Sequence, residues 1–301
     1  MRVLKLLSIA AISFLLASCS KGSVNGGEDP IPSNPPTEKI PIKLSVGLST
    51  RVTDNAFENG DEIGLYMVNY NGTTPGTLAN SGNYLNNTKF TYNGNWSSAT
   101  PLYWKDNTTH ADFYVYYPYG SPSNVSAYTF NVKANQSNET DYKASDFIWG
   151  KKENVAPTES YVNIQTSHLM SCIVIKLAAG EGLTEEEVTN GDATISINAI
   201  KTSASINLAN GEITVSGDTG SVTPCKSGAE WRAIIAPQEV PEQNLITVTL
   251  NGAEYNLKKG FTFVKGKKHT FTITLSKGSS GLNVDITDWE DDGTDNGGIA
   301  Q

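Results

Sequence analysis

The segment that decides the fold is Pro41–Val68, PIKLSVGLSTRVTDNAFENGDEIGLYMV. Its first half alternates between apolar residues and small or polar ones, which is typical of a strand with one buried face. The apolar residues on that face are Ile42, Leu44, Val46 and Leu48. A turn rich in Asn, Asp and Gly follows, and a second alternating run begins at Glu62. The segment therefore predicts two β-strands joined by a polar connection.

Arg51 follows the first of these strands directly, in polar sequence that no hydrophobic core requires. We interpret the strand as one that fills a groove in its own domain. The bond between Arg51 and Val52 is then a place where a protease could release it. A structural role is the alternative, in which Arg51 pairs with Asp54 or Asp61.

Length and charge limit the classes of function. The chain has 301 residues, which suggests two domains, and its formal net charge is -9. Binding to nucleic acid or to an anionic membrane surface requires Lys and Arg to neutralise phosphates. The acidic balance therefore argues against nucleic acid as a partner.

The N-terminus predicts the compartment. Arg2 and Lys5 precede an apolar run, Leu6–Leu16, that is too short to cross a membrane. The tetrad Leu16-Ala17-Ser18-Cys19 then resembles the bacterial lipobox, in which the cysteine is acylated and becomes the first residue. Two or three acyl chains on Cys19 would anchor the protein firmly in the outer membrane. The alternative is an ordinary signal peptide cleaved near Ala17.

From Pro41 onward, short strands follow one another without a helix between each pair. This spacing predicts all-β sandwiches rather than βαβ units. One helical turn is predicted within Glu181–Val188, with Thr184 as its N-cap. The predicted parts are a signal peptide (1–18), a flexible tether rich in Pro and Gly (19–40), an N-terminal β-sandwich (41–165), a C-terminal β-sandwich (166–289) and a flexible acidic tail (290–301).

The chain has few candidates for chemistry. Its three histidines, His110, His168 and His269, are not in metal-ligand spacing, and no nucleophile elbow or phosphate-binding loop occurs. We therefore expect no enzymatic activity, no cofactor and no metal. Cys172 and Cys225 could form a disulfide, but Cys172 lies in an apolar run where a buried free thiol is equally compatible.

Two aromatic segments are candidate binding surfaces. The run Phe113–Tyr119 predicts a buried strand with aromatic residues on both faces, rather than a platform for sugars. Trp96 and Trp104 lie in sequence rich in Ser, Asn and Thr, and are the better candidates for an exposed surface that contacts a ligand. Hydrophobic anchoring of a loop is nevertheless the interpretation that we favour for both.

Five motifs in order resemble the fimbrillin family, the subunits of type V pili of Gram-negative anaerobes. They are Thr50-Arg51 with Phe57–Tyr66 (FENGDEIGLY), Asp112–Tyr119 (DFYVYYPY), Ser167–Ser171 (SHLMS), Ile234–Gln238 (IIAPQ) and Ile286–Trp289 (ITDW). With the lipobox, the resemblance covers essentially the whole mature chain.

The resemblance implies two tandem transthyretin-like β-sandwich domains and a structural role in adhesion, not catalysis. In stalk subunits of the family, a lipoprotein precursor reaches the outer membrane and a trypsin-like or arginine-specific protease removes the first strand. A strand of a neighbouring subunit then fills the groove on the cell-surface pilus. Carried over to this chain, the cut is at Arg51–Val52 and the released strand holds Ile42, Leu44, Val46 and Leu48. The candidate donor strand holds Leu282, Val284 and Ile286.

A second function stays open under the same resemblance. The protein would remain a lipid-anchored surface lipoprotein, as an anchor or tip adhesin, and keep its first strand. It would then bind a glycan or a host ligand through the loops around Trp96 and Trp104.

Overall fold

The computed structural model describes residues 38–48, 57–277 and 298–300, the last three as backbone only. Within these ranges the strands are β1 (Lys43–Leu48), β2 (Glu62–Asn69), β3 (Leu85–Tyr92), β4 (Trp96–Ser98), β5 (Ala111–Tyr117), β6 (Tyr128–Asn131), β7 (Ile148–Val155), β8 (Tyr161–His168), β9 (Ser171–Ala179), β10 (Ala193–Asn207), β11 (Glu212–Val222), β12 (Cys225–Ser227), β13 (Glu230–Ile235), β14 (Glu239–Leu250), β15 (Ala253–Thr262), β16 (Lys268–Leu275) and β17 (Gly298–Ala300). Two short helices accompany them, α1 (Glu139–Lys143) and α2 (Glu185–Asn190). The predicted all-β class is confirmed.

The N-terminal half forms one seven-stranded sheet in the order β1-β8-β7-β5-β2-β3-β4. All neighbours in it are antiparallel except β1 and β8, which are parallel. The sheet curls until its two edges meet, because Pro41 forms a β-bridge with Tyr103 and the Trp96 indole reaches the Val46 carbonyl. The first core lies inside this curl and takes buried side chains from both edges and from the middle strands.

The C-terminal half is a sandwich of two sheets. One has the order β11-β10-β14-β15, with β6 also paired to β10, and the other has the order β12-β13-β9-β16-β17. A second core fills the space between the sheets, with Ile197, Ile246 and Phe271 among its fully buried members. The predicted C-terminal sandwich is therefore present.

A third core joins the two halves. It contains Tyr116 from β5, Met170, Ile206 from β10 and Ile234 from β13, all of them buried. Strand β6 belongs to the first half in sequence but pairs with β10 of the second half, and the predicted boundary at residue 165 falls inside β8. The two halves therefore share side chains and strands along their contact.

The prediction for the aromatic run is confirmed. Strand β5 buries Phe113 and Val115 in the first core, while Tyr114 and Tyr116 on its other face lie in the shared core. Burial on both faces explains why this strand is almost continuously hydrophobic, as strands covered on both sides usually are.

The structure agrees with the prediction from sequence at α2 and differs from it in the C-terminal tail. Thr184 caps α2 in a capping box, since its hydroxyl accepts from the Glu187 backbone N–H and the Glu187 carboxylate accepts from the Thr184 N–H. Residues Gly298–Ala300, predicted to be flexible, instead pair in parallel with Ile273–Leu275 of β16. The prediction is wrong at these residues, because backbone pairing to a free sheet edge needs no alternating side-chain pattern.

Candidate functional site: the groove of the first strand

Strand β1 lies at the edge of the curled sheet and points its apolar face into the first core. It pairs with β8 in parallel register, from Lys43 opposite Tyr161 to Leu48 opposite Thr166. Ile42, Leu44 and Val46 are buried, and Leu44 is only 2% exposed. The predicted alternation is thus confirmed for these three side chains. Leu48 is only partly buried, because it is the last residue of the strand.

The N-terminal end of β1 is bonded on both sides. The Ile42 N–H donates to the Leu102 carbonyl at 2.8 Å, and the Trp104 N–H donates to the Ile40 carbonyl at 2.9 Å. These bonds close the seam between β1 and the chain that follows β4. They come in addition to the ladder with β8 on the other side.

The C-terminal end of β1 is bound differently. Here Thr166 of β8 donates its hydroxyl to the Gly47 carbonyl at 3.0 Å, and the Trp96 indole Nε1 donates to the Val46 carbonyl at 3.4 Å. Within the described part of the chain, the Trp96 indole takes the place of backbone hydrogen bonds on the β4 side. This is the end of the strand that leads to Arg51.

Removing β1 would leave a groove whose exposure is unfavourable in free energy for two reasons. Each of its three buried side chains contributes about 1.5–3 kcal/mol of gross burial free energy, and Val162 and Ile164 on β8 would lose that cover. The backbone of β8 would also become an unpaired sheet edge. The groove can therefore hold a strand firmly, and it would favour any strand with the same apolar alternation.

The two tryptophans are not exposed, so the expected ligand-contact surface made of them is wrong. Trp96 is 7% exposed and packs edge-on against Phe57 at a ring distance of 4.9 Å. Trp104 is 3% exposed and packs against Phe113 at 5.5 Å. Both rings close the core under polar loops, which agrees with the favoured interpretation as hydrophobic anchors.

The exposed aromatic rings are tyrosines that the sequence did not single out. Tyr84, Tyr103 and Tyr161 are 39%, 38% and 50% exposed. One signal for Tyr161 was available, because β8 alternates strictly and Tyr161 falls on its polar face with Asn163. An aromatic residue on an otherwise polar strand face indicates exposure.

A cleft of about 550 Å³ opens beside β1, between the β3–β4 turn and the outer face of β1 and β8. Its lining residues are Leu44, Ser45, Val46, Tyr92, Gly94, Asn95, Trp96, Ser160, Tyr161 and Asn163. None of these residues carries a formal charge.

A buried carboxylate was also missed. Asp112 is 2% exposed, accepts from the Asn154 backbone N–H at 2.8 Å and from the Tyr70 hydroxyl at 3.1 Å, and lies 3.9 Å from the Lys151 ammonium. These contacts satisfy the carboxylate and tie β5 to β7, so its role is structural.

The two cysteines in the described residues are both free and buried. Burial raises the pKa of the Cys172 thiol to about 12 and also raises the pKa of the Cys225 thiol. Within the described ranges, no three His, Cys, Asp or Glu residues gather in a way that could hold a metal ion. No helix formed by these residues is long and apolar enough to span a membrane.

Several predicted site residues lie outside the described residues. They are Cys19, Arg51, Val52, Leu282, Val284 and Ile286. Their assigned roles in lipidation, cleavage and strand donation therefore stay predictions.

A family model described as fimbrillin-like matches residues 50–289. The chain belongs to the fimbrillin-like family. The matched region begins at Thr50, so β1 precedes it, and the resemblance drawn from the five motifs is confirmed.

Similar proteins come from the genus Bacteroides. One is assigned as fimbrium subunit Fim1C of Bacteroides uniformis and is 26% identical over 91% of each chain. Another is assigned as fimbrium tip subunit Fim1C of Bacteroides ovatus, 27% identical over 59% of this chain and 36% of that protein. A crystal structure assigned to a cell adhesion protein of Bacteroides uniformis superposes with a TM-score of 0.67 at 25% identity, covering 85% of this chain and all of the other.

Proposed function

We propose that this fimbrillin-like protein is a structural subunit of a cell-surface pilus that serves adhesion. It is exported as a lipoprotein anchored through Cys19 and cleaved after Arg51. Subunits then assemble when the strand Leu282–Ile286 of one fills the groove that β1 leaves in the next. The fimbrial relatives support the pilus role, and the edge position of β1 is the observation that carries the strand-exchange mechanism.

Several features of β1 support its release. It is an edge strand, so its departure breaks one ladder and leaves the other six strands of the sheet paired. Among the described residues, its C-terminal end makes fewer hydrogen bonds on the β4 side than its N-terminal end does. The shared family region starts after β1, at Thr50. An apolar groove open along a sheet edge is the setting in which an incoming strand gains both backbone pairing and side-chain burial.

The distribution of arginine favours one cut. The chain contains three arginines, Arg2, Arg51 and Arg232, and Arg2 lies in the predicted signal peptide. Arg232 has a side chain only 16% exposed, in β13, which is paired on both sides by β12 and β9. Arg51 is therefore the expected target of an arginine-specific protease that acts on the folded protein.

The cut is tested on purified protein that begins at Ser20, to avoid the lipid. Digestion with an arginine-specific protease is expected to give one product whose N-terminal sequence starts at Val52, followed by a ladder of oligomers on electrophoresis without boiling. The Arg51→Lys variant is the control and is expected to stay intact and monomeric. Cleavage without oligomers would refute strand exchange and leave Arg51 as a protease site alone.

A disulfide between β1 and β8 separates cleavage from strand release. Ser45 and Asn163 are paired across the parallel ladder and both are exposed. Neighbouring strands lie about 4.8 Å apart, which a disulfide can bridge. In the Ser45→Cys/Asn163→Cys variant, cleavage should proceed while oligomers form only after reductant is added. Oligomers of the oxidised protein would show that β1 need not leave.

A second candidate is a tip or anchor subunit that keeps β1. The similarity to the protein assigned as a fimbrium tip subunit favours it. Persistence of the uncleaved lipidated form on pili isolated from cells, with Arg51 intact, would support this candidate over a stalk role.

A further inference from the structure

We propose that the cleft beside β1 is a binding site for a neutral carbohydrate. It lies between the β3–β4 turn, which supplies Asn95, and the outer face of β8, which supplies Tyr161 and Asn163. No role in strand exchange uses these three side chains. Because β1 supplies Leu44, Ser45 and Val46 to the cleft, the site belongs to a subunit that keeps β1, either the uncleaved precursor or the tip or anchor candidate, and adds ligand binding to it.

The aromatic and polar groups of the cleft suit a sugar ring. Tyr161 is half exposed, so part of its ring is available to pack against the C–H groups of a pyranose. The side chains of Asn95, Asn163 and Ser45 make no hydrogen bond to any residue that the structure describes. Each amide offers two donors and an acceptor at the rim, which matches the mixed donor and acceptor character of sugar hydroxyls.

The absence of charge defines the ligand class. Among the described residues that line the cleft, there is no Asp, Glu, Lys, Arg or His. Acidic sugars and phosphorylated ligands are normally held by Arg or Lys, which form charge-assisted hydrogen bonds. A neutral oligosaccharide has the smallest desolvation cost on entering an uncharged site with an apolar floor and a few polar rim groups.

A peptide strand is a poorer occupant of the same space. Such a strand would have to pair with the free edge of β1, but the Val46 carbonyl on that edge already accepts from the buried Trp96 indole. A strand running along β1 would displace this ring from its contacts with Phe57 and Tyr92. A sugar needs only the outer rim of the cleft and leaves the indole in place.

The site does not require β1 to be released. Leu44, Ser45 and Val46 contribute to the floor and rim while β1 is in place, so binding can be measured on the uncleaved protein. Such an experiment does not measure polymer formation, so a negative result would not argue against strand exchange. Failure of strand exchange would equally leave this site untouched.

Isothermal titration and saturation-transfer NMR test the site on uncleaved protein that begins at Ser20 and carries Arg51→Lys. The probes are mannotriose, maltotriose, cellotriose and tri-N-acetylchitotriose. Saturable binding of at least one probe is expected, with an affinity at least tenfold weaker in Tyr161→Ala. Tyr103→Ala removes another exposed tyrosine outside the cleft and should bind as the parent does.

Asn163→Ala removes an exposed rim group whose side chain makes no hydrogen bond to a described residue, so it provides the test if Tyr161→Ala is unstable. It should also weaken binding. Absence of saturable binding of all four probes would overturn the proposal. Equal weakening by Tyr103→Ala, or binding unchanged in both cleft variants, would overturn it as well.

Discussion

Gly211 shows how much one residue contributes to the contact between the two halves. It lies in the Asn210-Gly211 turn of the C-terminal half at φ +70°, and a Cβ added there would meet Trp149 Cε3 at 2.7 Å. The Trp149 indole also donates to the Leu208 carbonyl at 2.8 Å. The glycine is therefore needed for its backbone conformation and for the close approach of the ring.

Gly211→Ala should destabilise the protein by more than the backbone strain alone. The left-handed conformation costs a non-glycine residue about 1–2 kcal/mol, and displacing Trp149 adds about 1–3 kcal/mol of overpacking. Gly252→Ala is the matched control. Gly252 also follows an asparagine and has φ +82°, but no atom lies within 4 Å of an added Cβ. Urea unfolding of both variants measures the difference in their free energies of unfolding. Equal losses of stability would mean that the Trp149 contact does not restrict this site.

Cys172 and Cys225 should both be unreactive thiols in the folded protein. A pKa of about 12 at Cys172 leaves about one thiolate in 10⁴ at pH 8, compared with about a quarter for an ordinary cysteine. Iodoacetamide should therefore label neither cysteine in native protein that begins at Ser20, and should label both in guanidinium without reductant. Mass spectrometry counts the labels. A non-reduced mass about 2 Da lower, with no labelling after unfolding, would reveal a disulfide instead.

At the scale of the element, β1 has a tightly buried apolar face and yet lies at the edge of its sheet, from which it can be removed. Leu44→Ala should cost the uncleaved protein about 2–5 kcal/mol, because the side chain is almost fully buried in the first core. Ser45→Ala, the exposed neighbour, should cost little. Urea unfolding of the uncleaved proteins measures both effects.

The same variant also tests release of β1 in the proposed assembly. Cleavage after Arg51 and loss of β1 give the same mature chain from the Leu44→Ala variant and from the parent. Oligomers of the two should therefore be equally stable, while those of the variant form faster after the cut. Light scattering after protease addition gives the rates. A slower rate for Leu44→Ala would contradict release of β1 as the step that controls assembly.

At the scale of the whole molecule, the shared core predicts that the two halves unfold together. Ile206 is fully buried in that core and belongs to β10, which also pairs with β6 of the first half. Removing contacts in the shared core should destabilise both halves at once. The described halves are thus expected to behave as one cooperative unit.

Ile206→Ala should lower stability by about 2–5 kcal/mol while keeping a single transition. Differential scanning calorimetry should show one peak, with calorimetric and van't Hoff enthalpies equal for parent and variant. Thr214→Ala, an exposed position on the neighbouring strand β11, is the control and should unfold as the parent does. Two resolved peaks in the variant would show that the halves are energetically independent.

The sequence alone determined features that depend on neighbouring residues. The alternation in β1, the aromatic strand β5 and the Thr184 cap follow from side-chain periodicity or from contacts within one turn, so they could be read before any fold was known. The family resemblance also came from motifs that stand in order along the chain.

Only the tertiary structure decided which rings are exposed and how the halves meet. Trp96 and Trp104 are buried because Phe57 and Phe113 reach them across the curled sheet, and polar sequence around them carries no sign of that contact. The shared core and the cleft at Tyr161 likewise depend on strands that are distant in sequence. Such contacts are set by the way sheets pack, because the alternation of a strand fixes which side chains share a face but not what covers that face.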